Sequence, residues 1–138
     1  MGSHAPQRML VLGFRDTAYA VLASDLVAID KDGCDARLAL DAPVLELADH
    51  LDGADGGPLD PVRLIVKFGR RRYAFRAKAH IALVEATGLV RLPRLVRHAG
   101  CADWVRGLAF VGAADVDDDR CPPPIVWIDL GRLAFAHR

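Results

Sequence analysis

Serine is almost missing from this chain. Ser3 and Ser24 are its two copies, and neither stands in the glycine-flanked strand-to-helix context of a hydrolase nucleophile. A glycine-rich phosphate loop is also lacking, because Gly56-Gly57-Pro58 leads into a strand pattern and not into a helix. Cysteine is scarce: Cys34, Cys101 and Cys121 make an odd set without paired spacing, as suits a reducing cytoplasm. His98 and Cys101 find no further metal ligands, since His4, His50, His80 and His137 show no matching spacing. Asp115, Asp117 and Asp119 alternate as calcium ligands do, but the required glycine and distal glutamate do not follow. These absences argue against an enzyme, a bound metal or cofactor, and a small-molecule substrate. Net charge is zero, with 18 Lys plus Arg against 18 Asp plus Glu. That balance disfavours a dedicated nucleic-acid binder and a protein held to membranes by charge. No apolar run approaches the length of a membrane-spanning helix, and no charged-then-apolar leader is evident.

What is present is a period of two. In Val62 to Glu85, Leu64, Val66 and Phe68 fall on one face and Arg63, Ile65 and Lys67 on the other. After the turn at Gly69-Arg70-Arg71 the alternation resumes with Tyr73, Phe75 and Ala77 against Arg72, Ala74, Arg76 and Lys78. Such patterning on both sides of a glycine-containing turn predicts a β-hairpin with one buried face. The same unit occurs twice: Leu10 to Phe14 with Tyr19-Ala20-Val21 matches Leu64 to Phe68 with Tyr73-Ala74-Phe75, 54 positions later. At that offset Val27 and Ile29 fall on Ile81 and Leu83, and Val44-Leu45-Glu46-Leu47 resembles Trp127-Ile128-Asp129-Leu130. Two copies at so long a period imply a pair of similar sub-barrels, since a solenoid needs three or more repeats.

At 138 residues and 52% hydrophobic, the chain is long and apolar enough for one globular domain. Residues 1–8 are set aside as a cloning remnant and disordered start, on the strength of Met1-Gly2-Ser3-His4. The expected division is a first sub-barrel over 9–53, a linker over 54–61 (ADGGPLDP), and a second sub-barrel over 62–138. Asp25 to Asp30 reads as a third strand or a short helical turn, Ala36 to Leu40 as a short strand, and Pro43 to Leu47 as the next. Leu47, His50 and Leu51 predict a short helix stopped by Gly53. Thr87-Gly88 reads as a break and Leu92 to His98 is ambiguous. Trp104 to Gly112 and Ile125 to Leu130 are strands around a polar loop over Ala113 to Pro124, and Arg132 to His137 is a terminal helix. Trp104 and Trp127 lie in apolar strand patterns and are expected in the core or at an interface.

In this order the elements resemble a CheW-like domain, the coupling module of bacterial chemosensory arrays. The resemblance runs from Met9 to Phe135. It rests on Leu10-Val11-Leu12-Gly13-Phe14 with Tyr19-Ala20-Val21, on Pro43 to Leu47, and on the central hairpin from Leu64 to Phe75. Trp104-Val105-Arg106-Gly107-Leu108 is similar to the family's aromatic-valine-x-glycine segment, and Ile128-Asp129-Leu130 with Leu133 to its closing strand and helix. No one motif is specific; the ordered set is. The resemblance implies a mainly β fold of two packed, SH3-like, five-stranded barrels with short helices.

It further implies a cytoplasmic, non-enzymatic adaptor recruited to chemosensory clusters. Its partner would be the cytoplasmic domain of a methyl-accepting chemoreceptor, with other CheW-like domains or a CheA-type histidine kinase as further partners. By matching position, Leu26, Ile29, Ala77, Ile81 and Leu83 would border the receptor groove. Each of these positions also suits plain inter-barrel core. The sequence departs from the family between Ile29 and Pro43, where 13 residues leave no room for the usual helix and asparagine-leucine-arginine-glycine turn. Ala28 replaces the family's glutamate, and Ala77-Lys78 its valine-aspartate pair. A reduced first barrel is therefore expected, with receptor binding kept and kinase coupling weak or lost, as in the shortened accessory of frizzy-type gliding-motility pathways. An ordinary coupling protein is the alternative. From a different class, Arg70, Arg71, Arg72 and Arg76 could serve a small β-barrel nucleic-acid binder, but the favoured reading is a solvated basic surface at the hairpin tip and outward face.

Overall fold

The computed structural model describes residues 7–31, 40, 42–93, 103–111 and 124–136. The expected strand at Ala36 to Leu40, the ambiguous segment at Leu92 to His98, the aspartate-rich loop and all three cysteines lie wholly or largely outside these residues. The described chain forms nine strands: β1 (Gln7–Gly13), β2 (Ala18–Leu22), β3 (Leu26–Lys31), β4 (Leu45–Glu46), β5 (Val62–Phe68), β6 (Arg71–Ala77), β7 (His80–Arg91), β8 (Val105–Val111) and β9 (Ile125–Ile128). Short 3-10 turns occupy Ala23–Asp25 and Leu47–Asp49, and one helix, α1, spans Leu130–Ala136. The first strand takes in Gln7 and Arg8, which the sequence reading had assigned to a disordered start.

Strands β1, β2, β9, β8 and β7 close into a five-stranded barrel, and β3, β5, β6 and β4 form a four-stranded sheet in that order. The duplication predicted from the sequence is present in the register. Leu10 faces Val21 in the first hairpin and Leu64 faces Phe75 in the second; Leu12 faces Tyr19 where Val66 faces Tyr73. The third strands, however, are exchanged. β3 pairs with β5, setting Ile29 opposite Leu64, while β7 pairs with β1, setting Leu83 opposite Leu10. The closing strands are exchanged as well, both in parallel: β4 pairs with β6 of the second copy and β9 with β2 of the first. The division at 9–53 and 62–138 therefore does not follow the strand pairing, because each sheet joins one copy's hairpin to the third and closing strands of the other.

Alternation explains where the core sits. From β1, Leu10 and Leu12 leave the barrel and join Val21, Leu64, Val66, Tyr73, Phe75, Ile128 and Leu133 in one shared cluster between the two sheets. Met9 points the other way and fills the barrel with Ala20, Ala86, Ala109 and Trp127. Helix α1 buries Leu130, Leu133 and Ala134, the three-and-four spacing of a one-faced helix. Asp129 caps its start, accepting the Arg132 backbone N–H at 3.2 Å.

Four local expectations need correction. The central hairpin is buried on both faces at its middle, since Ile65 and Ala74 are as inaccessible as Leu64 and Phe75. Thr87-Gly88 is no break: β7 runs through it for 12 residues, and the glycine marks a bulge between Ala86 and Gly88. Residues 54–61 are docked, not free: Ala54 is buried, Asp55 accepts the Arg15 N–H at 3.3 Å, and a Cβ on Gly56 would meet the Lys78 carbonyl at 1.6 Å. The predicted short helix at Leu47 is a single 3-10 turn, followed as expected by Gly53 at φ 73°.

Candidate functional site

Two apolar strands flank the shared core. On β3, Leu26 packs against that core from the side while Val27 and Ile29 are exposed. On β7, Ile81 packs against the same cluster and Leu83 is 60% exposed. Of the five groove positions expected from the sequence, Ala77 is therefore core, Leu26 and Ile81 form its rim, and Ile29 and Leu83 are open to a partner. Ile29 and Leu83 are repeat-related positions on the two exchanged strands, each opposite a buried leucine of the other copy. An exposed leucine or isoleucine beside a core gains roughly 1.5–3 kcal/mol if a partner covers it fully.

The basic residues do not share one face. In the β5–β6 register Arg71 lies opposite Phe68, whereas Arg72 lies opposite Lys67 and Arg76 opposite Arg63. Arg76 is held by Glu46 of the neighbouring β4 at 2.7 Å, with both side chains substantially exposed. Arg70 sits exposed in the turn and Arg71 is exposed beside it, while Arg72 is half-buried. At the same end, Phe68 meets Phe135 of α1 with ring centroids 4.6 Å apart, and the Arg132 guanidinium lies 5.8 Å over the Phe68 ring.

Two further features escaped the sequence reading. Val90 and Phe110 are exposed on the outer face of the barrel, where Gly88 opposes Phe110 and Val90 opposes Leu108. The strand that carries Phe110, β8, was legible; that Phe110 and Val90 of β7 both lie outside was not, because closure of the barrel sets which face is inner. The second feature is the barrel mouth, a cavity of about 130 Å³ lined by Leu22, Asp25, Arg91, Arg106, Trp127 and Asp129. Arg106 donates from Nε and Nη2 to the Asp129 carboxylate at 3.3 and 2.7 Å. Burial, and then the Asp129 charge, push the Asp25 carboxyl above its ordinary range, while Arg106 pulls it down. The Arg91 guanidinium lies 5.6 Å over the Trp127 ring. Among the described residues, no group of three His, Cys, Asp or Glu side chains could hold a metal, and no helix is long and apolar enough to cross a membrane.

Against known proteins, no family model and no curated sequence matches the chain. Among solved structures it is similar to the crystal structure of the scaffolding protein TtCheW from Thermoanaerobacter tengcongensis, with a TM-score of 0.58 and 15% identity over 94% of this chain and 92% of that one. The fold is that of CheW. Such a match over nearly both whole chains covers the closed barrel and the four-stranded sheet together, so the CheW-like architecture expected from the ordered motifs holds for the chain as a unit. At 15% identity the agreement lies in how the elements are arranged and not in the surface residues that would meet a partner.

Proposed function

We propose that the chain is a non-enzymatic adaptor of a bacterial chemosensory array. It docks the cytoplasmic tip of a chemoreceptor against Ile29 and Leu83, and couples weakly or not at all to a histidine kinase. The observation that carries this reading is the CheW-like fold with apolar side chains left exposed at two repeat-related positions beside the shared core. A helical receptor tip presents apolar residues at three-and-four spacing, the pattern that an apolar strip of this kind accepts. Loss of kinase coupling rests on the short connection between Ile29 and Pro43 and on the Ala28 and Ala77-Lys78 departures, and it points toward the shortened accessory of frizzy-type motility pathways.

Calorimetry of the full chain with a chemoreceptor cytoplasmic fragment tests the docking. Ile29→Lys and Leu83→Lys should each weaken binding at least about tenfold, roughly 1.4 kcal/mol, without loss of fold. Wild-type affinity in both variants refutes the docking surface. Micromolar binding of a kinase regulatory domain refutes the loss of coupling and returns the chain to the ordinary coupling proteins.

A further inference from the structure

The tip of the central hairpin combines charge and ring surface from two distant parts of the chain. Gly69 at φ 64° and Arg70 make a two-residue turn, so Phe68 and Arg71 stand directly opposite each other and share a face. Helix α1 adds to that face. Its Phe135 ring lies 4.6 Å from Phe68, and its Arg132 guanidinium 5.8 Å over the same ring. The helix is seated closely there, because a Cβ on Gly131 would come within 2.7 Å of the Lys67 carbonyl oxygen. Arg70 and Arg71 are exposed, and neither makes an ion pair or hydrogen bond with a described residue. The Asp129 carboxylate, 3.8 Å from Arg132, is already taken by Arg106 at 2.7 Å. Phe135 is 37% exposed.

We propose that this face docks an acidic protein segment in which carboxylates flank one apolar side chain. Arg70 and Arg71 receive the carboxylates, and the Phe68–Phe135 pair receives the apolar anchor. Charge selects the sign of the occupant: the chain as a whole is neutral, so an uncompensated positive tip is a local feature complementary to a negative partner. Ring surface selects protein over nucleic acid. Bases bind by stacking on open aromatic faces, whereas the Phe68 ring already has Phe135 and Arg132 against it. Phenyl rings interleaved with arginines are the composition of protein interfaces, and the guanidinium fork matches a carboxylate. Because the tight turn and the Gly131 contact set the face beforehand, docking orders few groups and loses little entropy. The face shares no residue with the Ile29–Leu83 surface, so failure of either leaves the other standing.

The probe is a synthetic Asp-Glu-Phe-Glu-Asp peptide, titrated into the full chain and followed by ¹H–¹⁵N spectra. It should shift the backbone N–H peaks of Arg70, Arg71, Arg132 and Phe135 saturably, with a dissociation constant of about 1 mM at low salt. Arg71→Glu should weaken the peptide at least about tenfold and Phe135→Ala at least about threefold. Arg15→Glu, at an exposed arginine in another turn, should leave it unchanged. Should Phe135→Ala disturb the folded spectrum, an Asp-Glu-Ala-Glu-Asp peptide makes the same test from the ligand's side and should bind the wild-type chain at least about threefold more weakly. The proposal is overturned by tip peaks that do not move, or by the alanine peptide binding as tightly, which leaves only a solvated basic surface. Arg15→Glu proving as damaging as Arg71→Glu overturns it too, as does an oligothymidylate of equal charge binding more tightly than the peptide. Self-association of the chain that Arg71→Glu abolishes would overturn it in favour of a second copy as the occupant.

Discussion

Gly107→Ala should be among the most damaging single-methyl additions to this chain, and its cost follows from the geometry. Gly107 lies on β8 opposite Arg91 of β7 and next to a register shift against β9. A Cβ built there falls 1.9 Å from the Val90 carbonyl oxygen and 2.9 Å from the Arg91 Cα, both of them backbone atoms. No rotamer relieves such a contact. The strands must separate by more than about 1 Å, because real Cβ atoms essentially never approach closer than 3.0 Å. Overpacking of a core by a methylene costs about 1–3 kcal/mol where side chains can move. Here the adjacent Leu92 N–H to Arg106 carbonyl bond, 3.0 Å long, is strained as well and adds about 1 kcal/mol. The sum, roughly 2–4 kcal/mol, is a large part of a typical total stability of about 5–15 kcal/mol. It corresponds to a fall in melting temperature of roughly 6–12 °C for a domain of this size. Gly88→Ala is the control on the same pair of strands. Its Cβ would meet only the Phe110 ring edge at 3.9 Å, an ordinary contact, and a strand alanine is favoured over glycine by about 0.5–1 kcal/mol. Calorimetric or circular-dichroism melts of the two variants decide it. A Gly107→Ala melt within about 2 °C of wild type, or equal losses in both variants, refutes the close-approach argument.

The repeat supplies a second comparison. Tyr19 and Tyr73 are equivalent positions, yet the Tyr19 hydroxyl donates to the Asp52 carbonyl at 2.7 Å, while the buried Tyr73 hydroxyl has no partner among the described residues. Tyr19→Phe should therefore lower the urea midpoint by an amount equivalent to about 1 kcal/mol, and Tyr73→Phe should leave it unchanged or raise it; equal losses would contradict this. A third prediction concerns pH. The Asp25 carboxyl titrates above its ordinary 3.8 in the folded chain, so its relative stabilisation is complete below that pH and is lost as pH rises through the raised value. Asp25→Asn should then be more stable than wild type at neutral pH, and the gap should close in acid below 3.8; a gap that widens in acid would reverse the sign of the argument.

The hairpins were legible because period two survives in any strand with one face on a core, and their register was legible because two copies share it. The exchange of β3 and β7 was not. Residues 26–31 alternate equally well beside their own hairpin or beside the other, and the choice is made by the shared core, which collects Leu10, Leu12, Leu64 and Val66 from both copies. The glycine of Trp104-Val105-Arg106-Gly107-Leu108 was visible as a motif, but its reason, a carbonyl of the paired strand at the Cβ position, is tertiary. Of the positions expected to border a groove, Ile29 and Leu83 are exposed while Ala77 is buried, and the sequence does not separate them because a strand end looks alike whether it faces water or a second sheet. The barrel mouth was invisible for a simpler reason. Its residues are scattered from Leu22 to Asp129 and meet only when five strands close.

Exchange of the third strands has a consequence for how the surface can be used. If each copy folded on itself, the two units would meet only through side chains, and a partner wedged between them could pry them apart. Here the backbone ladders β3·β5 and β1·β7 tie each sheet to a strand from the other copy. Parting the two copies would break these ladder hydrogen bonds as well as apolar contacts, a loss far beyond what covering two exposed side chains returns. Ile29 and Leu83 can therefore accept a partner while Leu26 and Ile81 behind them stay on the core. The same constraint frees the copies to diverge outside the ladders. The turn after β4 stays a single 3-10 turn at Leu47–Asp49, while its counterpart after β9 extends into α1 and lies against β5 and β6. The two halves thus share one buried frame and present unlike surfaces, as an adaptor that must distinguish its partners requires.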